Sequence, residues 1–275
     1  MNTNLFKNKS FVKGRNHYRA KKKFGQHFLK DHLAVKKIVK ALELKPGETV
    51  IEIGPGQGVL TSELLKTGAK VVAVEKDRDL FPVLEQKFGR VQNFQLVESD
   101  VLDWVPGSAF QSSGYKVCGN LPFYLSGKIL ELVLENWPKP ELAVFMFQKE
   151  VCQKLVAKPP EMTILSVINR FLADFKILFS VSRKCFSPQP KVDSAVLKII
   201  PKKQNVFEKE PKLKNFIKSG FAYPRKYLLT SLSDKLNLNK DSLKQRFSEL
   251  GISEKTRPGE LPLKSWLELY EKIFS

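Results

Sequence analysis

Two short stretches carry the residue types of a nucleoside-binding site. Residues 50–58 read Val-Ile-Glu-Ile-Gly-Pro-Gly-Gln-Gly, and 21 positions beyond Gly54 the apolar run Val71-Val72-Ala73-Val74 ends in Glu75. A buried strand that breaks into glycines lets backbone approach a ligand closely. A carboxylate about 20 residues on, at the tip of the next strand, can accept both hydroxyls of a ribose. The spacing Gly54-x-Gly56-x-Gly58 is not the Gly-x-Gly-x-x-Gly of dinucleotide binders, and Pro55 removes a backbone N–H that a pyrophosphate would use. The pattern predicts a cofactor with a ribose and no pyrophosphate, and S-adenosylmethionine fits. The plainer alternative is a tight connection from strand to helix; Glu75 at this offset argues against it.

Two further positions extend the chemistry. Asp100 follows a third apolar run, where a carboxylate can take the exocyclic amine of an adenine; the alternative is a turn or helix-capping residue. Asn120-Leu121-Pro122-Phe123 follows a fourth. A nucleobase amine is a poor nucleophile because its lone pair is delocalised into the ring, so a site that alkylates it must draw the nitrogen toward tetrahedral geometry. Two acceptors on its two hydrogens do that: the Asn120 side-chain oxygen, and the Leu121 carbonyl, whose direction the following Pro122 fixes. Phe123 offers a flat face for the base, worth roughly 1–3 kcal/mol. A methyl on a sulfonium needs no nucleophilic side chain, metal or strong base, only alignment. The structural alternative is a strand-end turn whose phenylalanine is core.

These residues need a frame, and the pattern of the chain supplies one. Strand candidates fall at 49–53, 70–75, 93–97, 115–119, 142–147, 174–180 and 192–200, with helical patterns at 31–43, 59–66, 78–88, 126–136, 148–157 and 161–171. Apolar strands separated by helices imply a mainly parallel sheet covered on both faces. The last two strands have only Pro188-Gln189-Pro190 between them and should pair antiparallel. The expected fold class is therefore α/β: a Rossmann-like, seven-stranded methyltransferase domain. Past Pro201 the pattern changes to short helices near 211–221, 224–236, 240–250 and 262–273. The predicted organisation is a basic arm over 1–23, a methyltransferase domain over 24–204 and a smaller all-helical domain over 205–275.

Charge is placed unevenly. The 275 residues carry a net +19, with 13 Lys and Arg against 2 Asp and Glu in residues 1–45, 18 against 17 in 46–200, and 16 against 9 in 201–275. A neutral body with basic ends predicts a polyanionic partner, most simply nucleic acid. The arm, with Lys21, Lys22 and Lys23 and with Tyr18 and Phe24 nearby, suits phosphate tracking with stacking. Cys118, Cys152 and Cys185 are too scattered for a disulfide framework or zinc, and His17, His27 and His32 lack ligand spacing, so no metal is expected. No run approaches a membrane span and the N-terminus lacks a secretory apolar core, which predicts a soluble, cytoplasmic protein without membrane partners.

The ordered set Gly25-Gln26-His27-Phe28-Leu29, the glycine loop, Glu75, Asp100, Asn120 to Phe123, Gln148-Lys149-Glu150-Val151 and Phe186 to Val196 resembles the KsgA-type rRNA adenine dimethyltransferases of the KsgA/Erm family. The resemblance runs from about residue 21 to 200, with an echo at Arg257-Pro258-Gly259-Glu260-Leu261. It implies methylation of two adjacent adenosines near the 3′ end of 16S rRNA in an assembling small subunit. It also implies cofactor contacts at His27, Leu29, Gly54, Gly56, Glu75, Asp100 and Asn120, RNA contacts including Arg225 and Lys226, and a monomer. The chain departs from the family where Phe123 stands for the usual Tyr, Tyr124 for a polar residue, His27 for Asn, and Pro224 for a basic residue. Three alternatives remain: an Erm-type enzyme acting on large-subunit rRNA, a non-catalytic transcription-factor relative, and a small-molecule methyltransferase.

Overall fold

The apolar runs do build one sheet. The computed structural model describes residues 20–21, 25–107, 110 and 114–274. Its strands are β1 (Phe28–Leu29), β2 (Thr49–Ile53), β3 (Lys70–Glu75), β4 (Phe94–Glu98), β5 (Lys116–Asn120), β6 (Leu142–Gln148), β7 (Ala173–Val181), β8 (Phe186–Ser187) and β9 (Ser194–Pro201). Seven of them lie in the order β4-β3-β2-β5-β6-β9-β7, parallel from β4 to β6, with β9 antiparallel to both β6 and β7. Side chains alternate across the sheet as a strand's period of two requires. On β2, Val50 joins Val35, Ile38 and Leu64 on one face, while Ile51 and Ile53 join Ile129, Val133 and Phe145 on the other. The chain winds outward from β2 through β3 to β4 and then returns to place β5 on the other side of β2. That reversal opens a crevice beyond the C-terminal ends of β2 and β5, the position where open parallel sheets bind ligands.

Two expected helices are each built from two pieces. Over 126–136 the α-helix Ser126–Glu131 passes into a wider π turn, Leu132–Asn136, which buries Leu132, Val133 and Leu134 together. Over 78–88 a 3₁₀ turn, Arg78–Leu80, precedes the helix Phe81–Phe88; Asp77 caps that turn by accepting from the Asp79 amide.

Beyond Pro201 the described chain is helical, with helices Val206–Lys209, Leu213–Gly220, Leu228–Leu236, Lys240–Glu249 and Leu263–Phe274. Their apolar faces pack on one another, with Phe216 and Phe221 against Trp266 at 6.0 and 5.4 Å, and also continue into the core of the sheet. Leu213, Phe216 and Trp266 belong to the same continuous buried cluster as Ile51, Val117 and Phe145 of the sheet. Phe171 packs edge-on against Phe207 at 5.9 Å, and Lys214 pairs with Glu135 at 2.8 Å. No helix among the described residues is long and apolar enough to cross a membrane.

Candidate active site

The glycine loop forms because β2 must turn sharply at its buried end. Gly54 has φ +67°, a left-handed conformation that favours glycine, and a β-carbon there would enter open space above the loop. Gly56, at φ +57°, would bring a β-carbon to 2.9 Å from the Phe28 ring. Its amide donates to Glu75 Oε2 at 3.2 Å. The other carboxylate oxygen accepts from the amides of Lys76 and Asp77, at 3.0 and 2.9 Å. Glu75, at the tip of β3, therefore ties the loop together. A carboxylate oxygen has two lone pairs, so Oε2 can also accept from a ribose hydroxyl. Burial raises the Glu75 pKa, against the pull of its three backbone donors.

Asp100 sits on the same wall, its Oδ2 on the Lys76 ammonium and its Oδ1 accepting from the Leu102 amide at 3.1 Å. Burial acts upward on this carboxyl, but those donors outweigh it and hold the pKa below its ordinary value. The residue is thus a turn-former whose carboxylate also lines the cavity.

At the end of β5, Asn120 Nδ2 donates to the His27 carbonyl at 2.9 Å. That bond fixes which end of the amide is which and leaves Oδ1 as the acceptor. His27 is held in turn: its Nδ1 lies 2.7 Å from the Pro188 carbonyl, so that nitrogen carries the proton. Phe28 and Leu29 pair with Ser187 and Phe186 in the small β1–β8 ribbon. Leu121 is buried, its amide bonding to the Met146 carbonyl at 3.3 Å, and Pro122 leads into the 3₁₀ turn Phe123–Leu125. One cavity takes in His27, Leu29, Gly54, Glu75, Asp100 and Asn120, with Gly56, Leu121 and Pro122 also on its walls. The side chain of Phe123 lies outside the described residues.

The basic residues assigned to RNA are distributed differently. Lys21 pairs with the buried Asp77 at 2.5 Å and with Asp79 at 2.6 Å, and Gln26 reaches the other Asp77 oxygen at 2.8 Å. The Lys21 ammonium is thus held by two carboxylates, and it shares Asp77 with Gln26. Residues 1–19, Lys22, Lys23 and Phe24 lie outside the described residues. Arg225 and Lys226 are exposed in the helical region and do not line the cavity, with Lys226 over the Tyr223 ring at 4.4 Å.

Glu52 was not singled out by the sequence reading and sits directly behind the loop. It is 1% exposed and accepts from the Thr61 hydroxyl at 2.6 Å. Burial, opposed by Thr61 and reinforced by Glu75, pushes its pKa from 4.5 up to about 8, so it is protonated at neutral pH. The folded-state pKa is raised, so the stability Glu52 contributes is full at acid pH and is lost as pH rises from its unfolded value through about 8. At about 1.4 kcal/mol per pKa unit, Glu52→Gln should gain on the order of 3–5 kcal/mol relative to wild type between about pH 4 and pH 9. Denaturant midpoints measured across that range check this; variant and wild type moving in parallel would refute it.

Comparison with known proteins places this architecture. The family model described as "Ribosomal RNA adenine dimethylase" matches residues 17–274. The chain belongs to that family. Among its curated relatives, a Ribosomal RNA small subunit methyltransferase A of Dehalococcoides mccartyi is 38% identical over 254 residues, covering 91% of this chain and 87% of the relative. A protein of the same name from Persephonella marina is 36% identical over 260 residues, covering 93% and 94%. The crystal structures of the 23S rRNA methyltransferase ErmE and of a dimethyladenosine transferase from Plasmodium falciparum each superpose with TM-score 0.73 at 24% identity. They cover 90% and 89% of this chain, and 100% and 98% of their own. As a dimethylase, the chain has cavity-lining residues that the sequence did not single out, Lys76 and Asp77, while Gln26, quoted only within its motif, and the exposed Tyr124, noted only as a departure from the family, also reach the cavity. The only linear signal for two of them is their place directly after Glu75.

Proposed function

We propose that this protein transfers methyl groups from S-adenosylmethionine to the exocyclic amines of two adjacent adenosines near the 3′ end of 16S rRNA, dimethylating each as the small subunit assembles. The observation that carries this reading is the fixed Asn120 amide, whose Oδ1 is left as an acceptor in the cavity that also holds Glu75. The donor set fits the cofactor: Glu75 Oε2 for the ribose, Asp100 for the adenine amine, and the open cradle over Gly54 where no side chain intrudes. Bound there, the cofactor supplies a methyl already activated by its sulfonium. The chain's own work is to hold the target amine by Asn120 Oδ1 and the Leu121 carbonyl, and to stack the base on Phe123. The helical residues 205–275, with Arg225 and Lys226, dock the enzyme on the subunit, and the basic arm with Lys22 and Lys23 tracks phosphates. The protein acts as a monomer in the cytoplasm.

Two substitutions test the halves of the site separately. Glu75→Ala removes a charged acceptor worth roughly 1.5–3 kcal/mol and also unties the loop amides. Calorimetry should show S-adenosylmethionine affinity reduced by at least about tenfold in a folded protein; unchanged affinity would remove Glu75 from the cofactor site. Phe123→Ala should lose most methyl transfer while cofactor binding is kept, and Phe123→Tyr should retain it, because stacking needs only the ring. Full activity of the alanine variant would mean that the base does not stack there.

A further inference from the structure

Two sequence motifs remain without a role in the cofactor cavity, Gln148 to Val151 and the second half of Phe186 to Val196. The fold brings them together. Gln148 pairs in register with Ser194 where β6 meets β9, and the Lys149 amide donates to the Asp193 carbonyl at 3.0 Å. The Asp193 carboxylate accepts from the Arg183 amide at 2.9 Å, and Arg183 Nη1 donates to the Lys191 carbonyl at 3.1 Å. The result is a second concavity whose lining includes Lys149, Arg183, Lys191 and Val192.

Its charge is available. Lys149, Arg183 and Lys191 are exposed, and none of them forms an ion pair with a described residue. The one glutamate of the lining, Glu150, is taken by Lys154 at 2.7 Å, and an Asp193 oxygen is engaged by backbone. The concavity also lies beside the acceptor site. Asn120 is in register with Met146 on the neighbouring strand, three residues before Lys149. At about 4.8 Å between strands and 3.3 Å per residue, that separation is about 11 Å, the reach of a neighbouring nucleotide. The loop that carries Lys191 also carries Pro188, whose carbonyl holds His27 and through it Asn120.

We infer that Lys149, Arg183 and Lys191 form a phosphate site for the RNA backbone flanking the target adenosine. An adenine amine inside a stacked or paired segment cannot reach the cavity, so its nucleotide must swing out of the stack. Phosphate contacts carry no sequence information but fix the register of the strand, and here they determine which base can swing in. This inference rests on the rRNA-methylating function proposed above.

The test uses the full-length protein, small subunits lacking the modification, and the double variant Lys149→Gln/Lys191→Gln. The logarithmic dependence of subunit affinity on salt should flatten by roughly 0.7–0.9 per lysine removed. KM for subunits should rise on the order of tenfold, while S-adenosylmethionine affinity and thermal midpoint stay at wild-type values. Lys149→Arg/Lys191→Arg should restore both slope and KM. The variant Lys40→Gln/Lys70→Gln removes the same charge elsewhere and should leave KM unchanged. A wild-type slope and KM in the Lys149/Lys191 double glutamine variant would overturn the phosphate site, as would an equal effect in the Lys40/Lys70 control. If wild-type protein itself fails to methylate subunits, the functional reading fails first, and that result is read separately.

Discussion

Asn120→Ala should reduce kcat for adenosine methylation by roughly 10²–10³, the usual cost of deleting one preorganised polar group aimed at a reacting centre. The size follows from how firmly the group is placed. Nδ2 is committed to the His27 carbonyl, so Oδ1 needs no reorganisation when the amine arrives. S-adenosylmethionine affinity should change much less, because Glu75 and the loop amides are untouched. Single-turnover methylation with saturating cofactor and subunits separates these quantities. A variant with wild-type kcat would show that the amine is held by other groups.

Deleting residues 205–275 should unfold or grossly loosen the remaining chain. Phe171 packs on Phe207, and the helix Ile164–Leu172 that carries it packs against the helices Leu213–Gly220 and Leu263–Phe274, so the deletion uncovers that buried face. Each large apolar side chain so exposed forfeits roughly 1.5–3 kcal/mol, and several together approach the ~5–15 kcal/mol that holds a domain. The shortened protein should bind a hydrophobic dye and lose its cooperative thermal transition. A sharp transition with intact S-adenosylmethionine binding would show that the sheet is self-sufficient without its helical cover.

The legible part of the molecule was the part written in local order. Gly54, Glu75, Asp100 and Asn120 each end an apolar run, and in a parallel sheet the ends of such runs meet at one edge, so their convergence followed from periodicity and spacing. The ribbon between Phe28–Leu29 and Phe186–Ser187 was not legible, because two residues make no pattern and the His27–Pro188 contact spans 161 positions. Composition put Lys21 in a basic arm expected to meet phosphates; its pairing with the buried Asp77, 56 positions away, is not something that charge counts reveal. The change from strands to helices after Pro201 was visible in the sequence. The core that runs across it was not, since amphipathic helices look the same whether they cover one another or a sheet.

The decisive experiment incubates the protein with methyl-labelled S-adenosylmethionine and purified, unmodified small or large ribosomal subunits, then maps the modified bases. Label is expected in two adjacent adenosines near the 3′ end of small-subunit rRNA, carried to the dimethyl form on each. Label confined to large-subunit rRNA, or none on either from a folded protein that binds the cofactor, would contradict the proposed function.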